Sequence, residues 1–172
     1  MKVLALSGSI RSTSSNASLL RAVQTLFHFS DADWTRFPIA ELPFFDPELQ
    51  FSLDLPPAVA AFRKLAAEAE FILIATPEYA HGIPGVLKNA LEWLVCEETM
   101  QKKVAVFISS PSGGEHVKEY LLETLRTMDL MASDEMTFTV TSARKDISSS
   151  GEITNPSLRG EILAFLNKIW KS

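Results

Sequence analysis

The chain begins with Met1-Lys-Val-Leu-Ala-Leu-Ser-Gly-Ser-Ile-Arg-Ser-Thr-Ser-Ser-Asn16, a short apolar run that leads into a loop crowded with hydrogen-bond donors. Residues 3–6 are apolar throughout, which is typical of a strand buried on both faces of a sheet. Residues 17–26 are predicted to form a helix. A strand that passes through such a loop into a helix N-terminus favours a bound anion, because backbone N–H groups, hydroxyls and the Arg11 guanidinium converge at the positive end of the helix dipole.

A simpler interpretation of this loop is that its Ser and Asn residues cap the helix. A cap needs one or two such side chains, whereas the loop carries five serines, one threonine and one asparagine, so we favour a phosphate ligand. The loop has neither the Gly-x-Gly-x-x-Gly of a dinucleotide site nor the Gly-Lys-Ser/Thr of a P-loop. The sequence therefore predicts a phosphate monoester, held without a metal by Ser9, Arg11, Ser14 and Asn16.

The composition limits the fold and the partners. With 172 residues, 47% of them hydrophobic, the chain can bury a sizeable core, and we expect one domain over residues 1–172. A net charge of −5 argues against nucleic acid or an anionic membrane as the main partner. The single cysteine excludes an internal disulfide framework, and the three histidines lack metal-ligand spacing. The sequence shows no signal-peptide core and no run of apolar residues of membrane-spanning length, so we expect a soluble cytoplasmic protein.

The rest of the chain alternates apolar strands with amphipathic helices. Further strands are predicted at 32–37, 71–75, 104–108 and 135–140, and further helices after Pro56, at 85–95, at 115–128 and after Asn155. This rhythm predicts an α/β fold: a doubly wound five-stranded parallel sheet with helices on both faces. The strand at 32–37 is interrupted by polar residues and is expected near a sheet edge. The polar segment 142–155 is predicted to be a mobile loop.

Two more loops of unusual composition follow buried strands. Residues 76–84 are stiffened by two prolines, and the N–H groups between these prolines can point at a flat ligand edge. Residues 109–114 place Gly113 and Gly114 before a helix, which is either a second electropositive spot or only a tight turn. Because ligands of parallel sheets bind outside the carboxyl ends of the strands, we expect all three loops to form one site.

The second loop carries residues whose chemistry is open to two interpretations. Gly82 would let the backbone approach a ligand closely, and Tyr79 offers a ring face or a hydroxyl. Glu78 and His81 could form an acid–base pair. We favour instead a Glu78 that accepts backbone hydrogen bonds and a His81 on the rim of the site, because nothing in the sequence positions a partner for that histidine.

A ligand with a phosphate at one end and a flat polar ring at the other fits these loops, and flavin mononucleotide (FMN) is the candidate. Residues 8–16 read Gly-Ser-Ile-Arg-Ser-Thr-Ser-Ser-Asn, and residues 77–93 read Pro-Glu-Tyr-Ala-His-Gly-Ile-Pro-Gly-Val-Leu-Lys-Asn-Ala-Leu-Glu-Trp. In both motifs the chain resembles the NADPH-dependent FMN reductases of flavodoxin-like fold, which include quinone, azo-dye and chromate reductases. The resemblance covers residues 1–130 and weakens after that.

The resemblance implies which residues contact FMN. The phosphate would be held by Ser9, Arg11, Ser14, Ser15 and Asn16. The isoalloxazine ring would be lined by Pro77, Glu78, Tyr79, Ala80, His81 and Gly82, and its other edge would face Ser110, Ser112, Gly113 and Gly114. Two departures from the family pattern leave only backbone and hydroxyl contacts: Ala80 replaces the Asn of many relatives, and the third loop lacks the Gly-Arg that often follows its proline.

The resemblance also implies an activity. NADPH or NADH would transfer hydride to FMN without a catalytic side chain, and a small-molecule acceptor (a quinone, an azo compound, a metal oxyanion or free flavin) would take the electrons. A homodimer or homotetramer with sites near subunit interfaces is expected. Two alternatives remain open. A flavodoxin-like electron carrier would not oxidise NADPH, and a non-enzymatic phosphate or nucleotide sensor would bind its ligand without redox change.

Overall fold

The computed structural model describes residues 1–26 and 32–171, except for the side chain of residue 171. At its centre lies a five-stranded sheet. All neighbouring strands are parallel and their order is β2-β1-β3-β4-β5. The strands are β1 (Lys2–Ser7), β2 (Asp33–Arg36), β3 (Phe71–Thr76), β4 (Lys103–Ser109) and β5 (Thr137–Val140). The predicted parallel sheet and the edge position of the second strand are confirmed.

Six α-helices are found among the described residues: α1 (Ser15–Leu26), α2 (Pro57–Glu68), α3 (Gly85–Trp93), α4 (Glu115–Thr127), α5 (Ala143–Asp146) and α6 (Pro156–Lys171). Pro57 stands at the start of α2, where its fixed φ suits the first helical turn and its missing N–H costs nothing. Asn155 caps α6, because its Oδ1 accepts the N–H of Ser157 at 3.0 Å.

The helices cover both faces of the sheet, which explains why the central strands are apolar without alternation. One face packs its strand residues, such as Leu4, Ile72 and Val106, against α2, α3 and α4. The opposite face packs their neighbours, such as Val3, Leu73 and Phe107, against α1 and α6. The doubly wound arrangement is therefore confirmed. Among the described residues, no helix has the length and apolar character needed to cross a membrane.

The segment 142–155 is predicted to be a mobile loop, but the structure shows regular elements within it. Residues 143–146 form the short helix α5, and Ile147 pairs with Ile153 in an antiparallel bridge. The Asp146 carboxylate accepts a hydrogen bond from Asn155 Nδ2 at 3.1 Å, and the Asp146 carbonyl accepts the N–H of Thr154 at 2.8 Å. The polar residues that indicated a loop thus bond to one another, and they give the segment a defined fold.

Candidate functional site

The loops after β1, β3 and β4 meet at the carboxyl edge of the sheet, because these three strands are neighbours. They enclose an open cavity of about 610 Å³. Nine of the predicted site residues line it: Ser9, Arg11, Ser14, Ser15, Asn16, Pro77, Glu78, Tyr79 and Ser110. The other six, namely Ala80, His81, Gly82, Ser112, Gly113 and Gly114, lie outside its wall. The expected juxtaposition of the three loops is therefore observed.

The first loop is seated against β3 by a close backbone approach at Gly8. The N–H of Gly8 donates to the carbonyl of Ala75 at 2.7 Å. A Cβ at Gly8 would lie 2.6 Å from Thr76 Oγ1, which is too close for any side chain without displacement. This approach holds the donor-rich loop beside the second one.

The N-terminus of α1 supplies donors to the cavity. Ser14 caps the helix, since its Oγ accepts the N–H of Ala17 at 3.1 Å, so the simpler capping interpretation holds for this one serine. The N–H groups of Ser15 and Asn16 have no acceptor among the residues that the structure describes. Ser15 also accepts a hydrogen bond from the Ser109 hydroxyl at 2.9 Å, which ties the first loop to the end of β4. Two N–H groups at the positive end of a helix are thus available to an anion.

Asn16 is a buried polar residue of the cavity wall whose hydrogen bonding is incomplete. Its exposed fraction is 1%, and within residues 1–26 and 32–171 its Oδ1 has no hydrogen-bond partner. A buried amide oxygen without a partner costs about 1–3 kcal/mol, so native structures seldom leave one unsatisfied. A ligand that brings a hydroxyl into the cavity would satisfy it.

The second loop ends in a tight turn rather than in the open loop that was expected. Tyr79 and Gly82 exchange two backbone hydrogen bonds, and the turn residues Ala80 and His81 have left-handed φ values of 49° and 57°. Gly82 has no such backbone requirement, and a Cβ there would make only ordinary contact with the Tyr79 carbonyl at 3.8 Å. The N–H of Gly82 is used within the turn, and the close approach of this residue to a ligand stays a prediction. The strained pair is Ala80 and His81.

Glu78 joins the second loop to α4, as the backbone-acceptor interpretation predicts. Its side chain is only 7% exposed, and its Oε2 accepts the N–H of Val117 at 3.0 Å. This hydrogen bond is the main reason why the pKa of the Glu78 carboxyl lies below its usual value, and the nearby histidines add to the effect. His81 has a 75% exposed side chain with its Nδ1 3.5 Å from Glu78 Oε1, so it is a rim residue.

The third loop is organised differently from the predicted electropositive spot. The N–H of Gly113 donates to the Ser110 carbonyl at 3.2 Å, and Gly114 has a left-handed φ of 72° directly before α4. The N-terminus of α4 is partly neutralised from within the protein, because Glu78 accepts an N–H there. Gly113 and Gly114 thus form a tight turn, and this was the alternative interpretation. Ser110 faces the cavity, whereas Ser112 bonds to Ser110 and Glu78.

The cavity is also lined by a fourth segment, which the sequence interpretation did not assign to the site. It follows β5 and comprises residues 141–145. Single residues of the other loops were also missed, namely Thr13, Ser109 and Pro111. The signal for the fourth segment was available, because β5 was a predicted strand of the same sheet, and its carboxyl end therefore had to lie at the same edge.

Comparison with known proteins gives the family. The sequence profile described as NADPH-dependent FMN reductase matches residues 1–145. The chain belongs to this family. Among the curated members of known sequence, a probable NADPH:quinone oxidoreductase 2 of Oryza sativa subsp. japonica is 29% identical over 171 residues, which are 94% of this chain and 83% of the relative. An NAD(P)H-dependent FMN reductase of Pseudomonas aeruginosa is 29% identical over 168 residues, covering 92% of this chain and 88% of the relative.

Solved structures support the fold assignment of this FMN reductase family member. FerB of Paracoccus denitrificans, described as a flavoenzyme NAD(P)H:(acceptor) oxidoreductase, superposes with a TM-score of 0.81 at 23% identity. The superposition covers 99% of this chain and 97% of FerB. The predicted flavodoxin-like architecture is therefore confirmed over the length of the chain.

Proposed function

We propose that this protein is an FMN-dependent NAD(P)H oxidoreductase that passes electrons to a small-molecule acceptor such as a quinone or a flavin. The observation that carries the proposal is the cavity at the carboxyl edge of the sheet. Its α1 end offers free N–H groups, hydroxyls and a guanidinium to an anion, together with one buried oxygen that needs a donor. FMN has a group for each of these two features: a phosphate for the anion site and ribityl hydroxyls for the buried oxygen. Family membership supports the same cofactor.

The first loop would hold the phosphate end of FMN. Ser9 is buried, and Arg11 forms no ion pair within the described part of the chain. The Arg11 guanidinium and the N–H groups of Ser15 and Asn16 would together balance the phosphate charge. Asn16 Oδ1 would accept a ribityl hydroxyl. These residues bind and orient, and none of them needs to take up a proton.

The second loop would position the ring. When bound, FMN supplies the redox chemistry: it accepts a hydride from the nicotinamide and gives the electron pair to the acceptor. The protein fixes the wall against which the ring lies, because Glu78 anchors the loop to α4 and Pro77 stiffens it. Although Ala80 and His81 do not line the cavity, their N–H groups have no acceptor among the residues described, so the strained turn keeps two donors beside the cavity wall at Tyr79.

We also propose a homodimer or homotetramer. The segment that precedes α2 exposes three large apolar side chains, and Phe44, the most exposed of its aromatic residues, has an exposed fraction of 93%. The others are Phe51 and Leu53. A surface of this kind is typical of a subunit contact. Light scattering of the purified protein measures the mass directly, and a monomer at micromolar concentration would contradict this part of the proposal. A cytoplasmic location stays a prediction from the sequence.

Arg11→Ala tests the placement of the phosphate. FMN affinity of the apoprotein should fall by about 1.5–3 kcal/mol, the usual worth of a hydrogen bond to a charged group. Arg159→Ala is the matched control, since this arginine is exposed on α6 and does not line the cavity. Fluorescence titration with FMN measures the affinity of both variants. Equal affinities for the Arg11 variant and the wild type would contradict the placement. Failure of the FMN-loaded protein to oxidise NADPH or NADH would favour the electron-carrier alternative.

A further inference from the structure

The cavity carries positively charged side chains beyond the single arginine of the loop after β1. Three cationic side chains line it, namely Arg11, Arg144 and Lys145, against the single carboxylate of Glu78. Glu78 is already engaged with Val117 and lies near His81. None of the three cations forms an ion pair with another described residue. The net charge of the chain is −5, so this local excess of cations runs against the overall balance.

The two cations from the fourth segment are held on a defined support. Arg144 and Lys145 belong to α5, which packs against α1, the helix whose N-terminus faces the cavity. The N–H groups of Lys145 and Asp146 donate to the Ser142 carbonyl at 2.8 and 2.9 Å. The Asp146 carboxylate is buried and bonds to Ser142 and Asn155, and this bonding lowers its pKa. Asp146 therefore anchors α5 without forming an ion pair with Lys145.

We infer that Arg144 and Lys145 form a second contact for a phosphate monoester in the cavity, in addition to the contact made by the loop after β1. This inference rests on the proposed function. Two of the ligands in that function carry a phosphate monoester: FMN at its 5′ position and NADPH at its 2′ position. The loop after β1 already offers Arg11, hydroxyls and helix N–H groups to the first. The pair on α5 adds charge where the same cavity extends toward β5.

The test compares each ligand with its counterpart that lacks the monoester. Arg144→Gln combined with Lys145→Gln removes both charges while keeping residues that suit a helix. The matched control is Lys64→Gln combined with Arg159→Gln, which makes the same change in net charge at exposed positions outside the cavity. Dissociation constants of the apoprotein are measured for FMN and riboflavin by fluorescence, and Michaelis constants of the FMN-loaded enzyme are measured for NADPH and NADH.

The expected result is a rise of about tenfold in the dissociation constant or the Michaelis constant of the phosphorylated member of one pair, which corresponds to about 1.4 kcal/mol. The constant of its counterpart should change little. A loss for FMN but not riboflavin assigns the contact to the cofactor, and a loss for NADPH but not NADH assigns it to the co-substrate. The selective loss should shrink as ionic strength rises, because exposed charges are screened.

The inference is overturned if the α5 variant weakens the binding of both members of each pair equally. It is also overturned if the constants of the α5 variant match those of the control variant within about twofold. These outcomes are distinct from a failure of the proposed function. In that case the wild-type protein would not bind FMN or would not oxidise either nicotinamide, whereas here the wild type does both and only the selectivity of the variant is at issue.

Discussion

The unsatisfied oxygen of Asn16 leads to a prediction in which stability and binding change in opposite directions. Asn16 lies in the first turn of α1, where alanine is a better helix former than asparagine by about 0.5 kcal/mol. In the apoprotein, Asn16→Ala also removes a buried acceptor that has no partner. The free energy of unfolding of the apoprotein should therefore stay unchanged or rise by up to about 1 kcal/mol.

The same substitution should weaken FMN binding. If a ribityl hydroxyl donates to Asn16 Oδ1, its removal costs about 1–1.5 kcal/mol, the net worth of one hydrogen bond, or roughly a tenfold rise in the dissociation constant. Denaturant unfolding of the apoprotein gives the first quantity, and fluorescence titration with FMN gives the second.

Asn89→Ala is the matched control for this experiment. Asn89 is also a helical asparagine, but both ends of its amide are hydrogen-bonded: Oδ1 accepts the N–H of Phe45 at 2.7 Å and Nδ2 donates to the Pro43 carbonyl at 2.9 Å. Its removal should lower stability by about 1–3 kcal/mol and leave FMN affinity unchanged. The reasoning is refuted if Asn16→Ala behaves like this control, with a destabilised apoprotein and an unaltered affinity for FMN.

Two further predictions concern the supports of the site. Gly8→Ala should destabilise the protein by about 1–3 kcal/mol, because the new Cβ would meet Thr76 at 2.6 Å; thermal unfolding measures this, and an unchanged midpoint would contradict the close approach. Glu78→Gln should cost about 1 kcal/mol near neutral pH, since the amide accepts the Val117 N–H less strongly than the carboxylate. Folding lowers the pKa of the Glu78 carboxyl. The stability that this carboxylate contributes is therefore complete above its pKa in the unfolded chain, and it is lost as the pH falls through its lower pKa in the folded protein. The stability difference between wild type and variant, measured by denaturant unfolding, should shrink below about pH 4, and a difference independent of pH would argue against this role.

Much of the architecture follows from the sequence because the central strands are apolar on both faces. Residues 3–6, 71–75 and 104–108 cannot be exposed on either side, and this requires a parallel sheet covered by helices. Parallel strands bring their carboxyl ends to one edge, so the convergence of the three loops followed without any knowledge of distances. Family motifs then added the identity of the ligand.

The details that the sequence did not reveal are those decided by tertiary contacts. Ala80 and His81 adopt left-handed backbone conformations that neither residue prefers, whereas the adjacent Gly82 does not, so the composition of this turn points to the wrong residue. The N-terminus of α4 looked available to a ligand, but the carboxylate of Glu78, 39 positions earlier in the chain, already accepts one of its N–H groups, that of Val117. The segment 142–155 is polar because its side chains bond to one another around Asp146, and composition alone does not distinguish this from a flexible loop.

The central claim is that the cavity holds FMN and that a nicotinamide reduces it. The most direct measurement is an anaerobic titration of the FMN-loaded protein with NADPH and, separately, with NADH, followed by addition of a quinone. The account predicts loss of the flavin absorbance at about 450 nm on titration with at least one nicotinamide and its recovery when the quinone is added. A protein that binds no FMN, or whose bound FMN neither nicotinamide reduces, would contradict it.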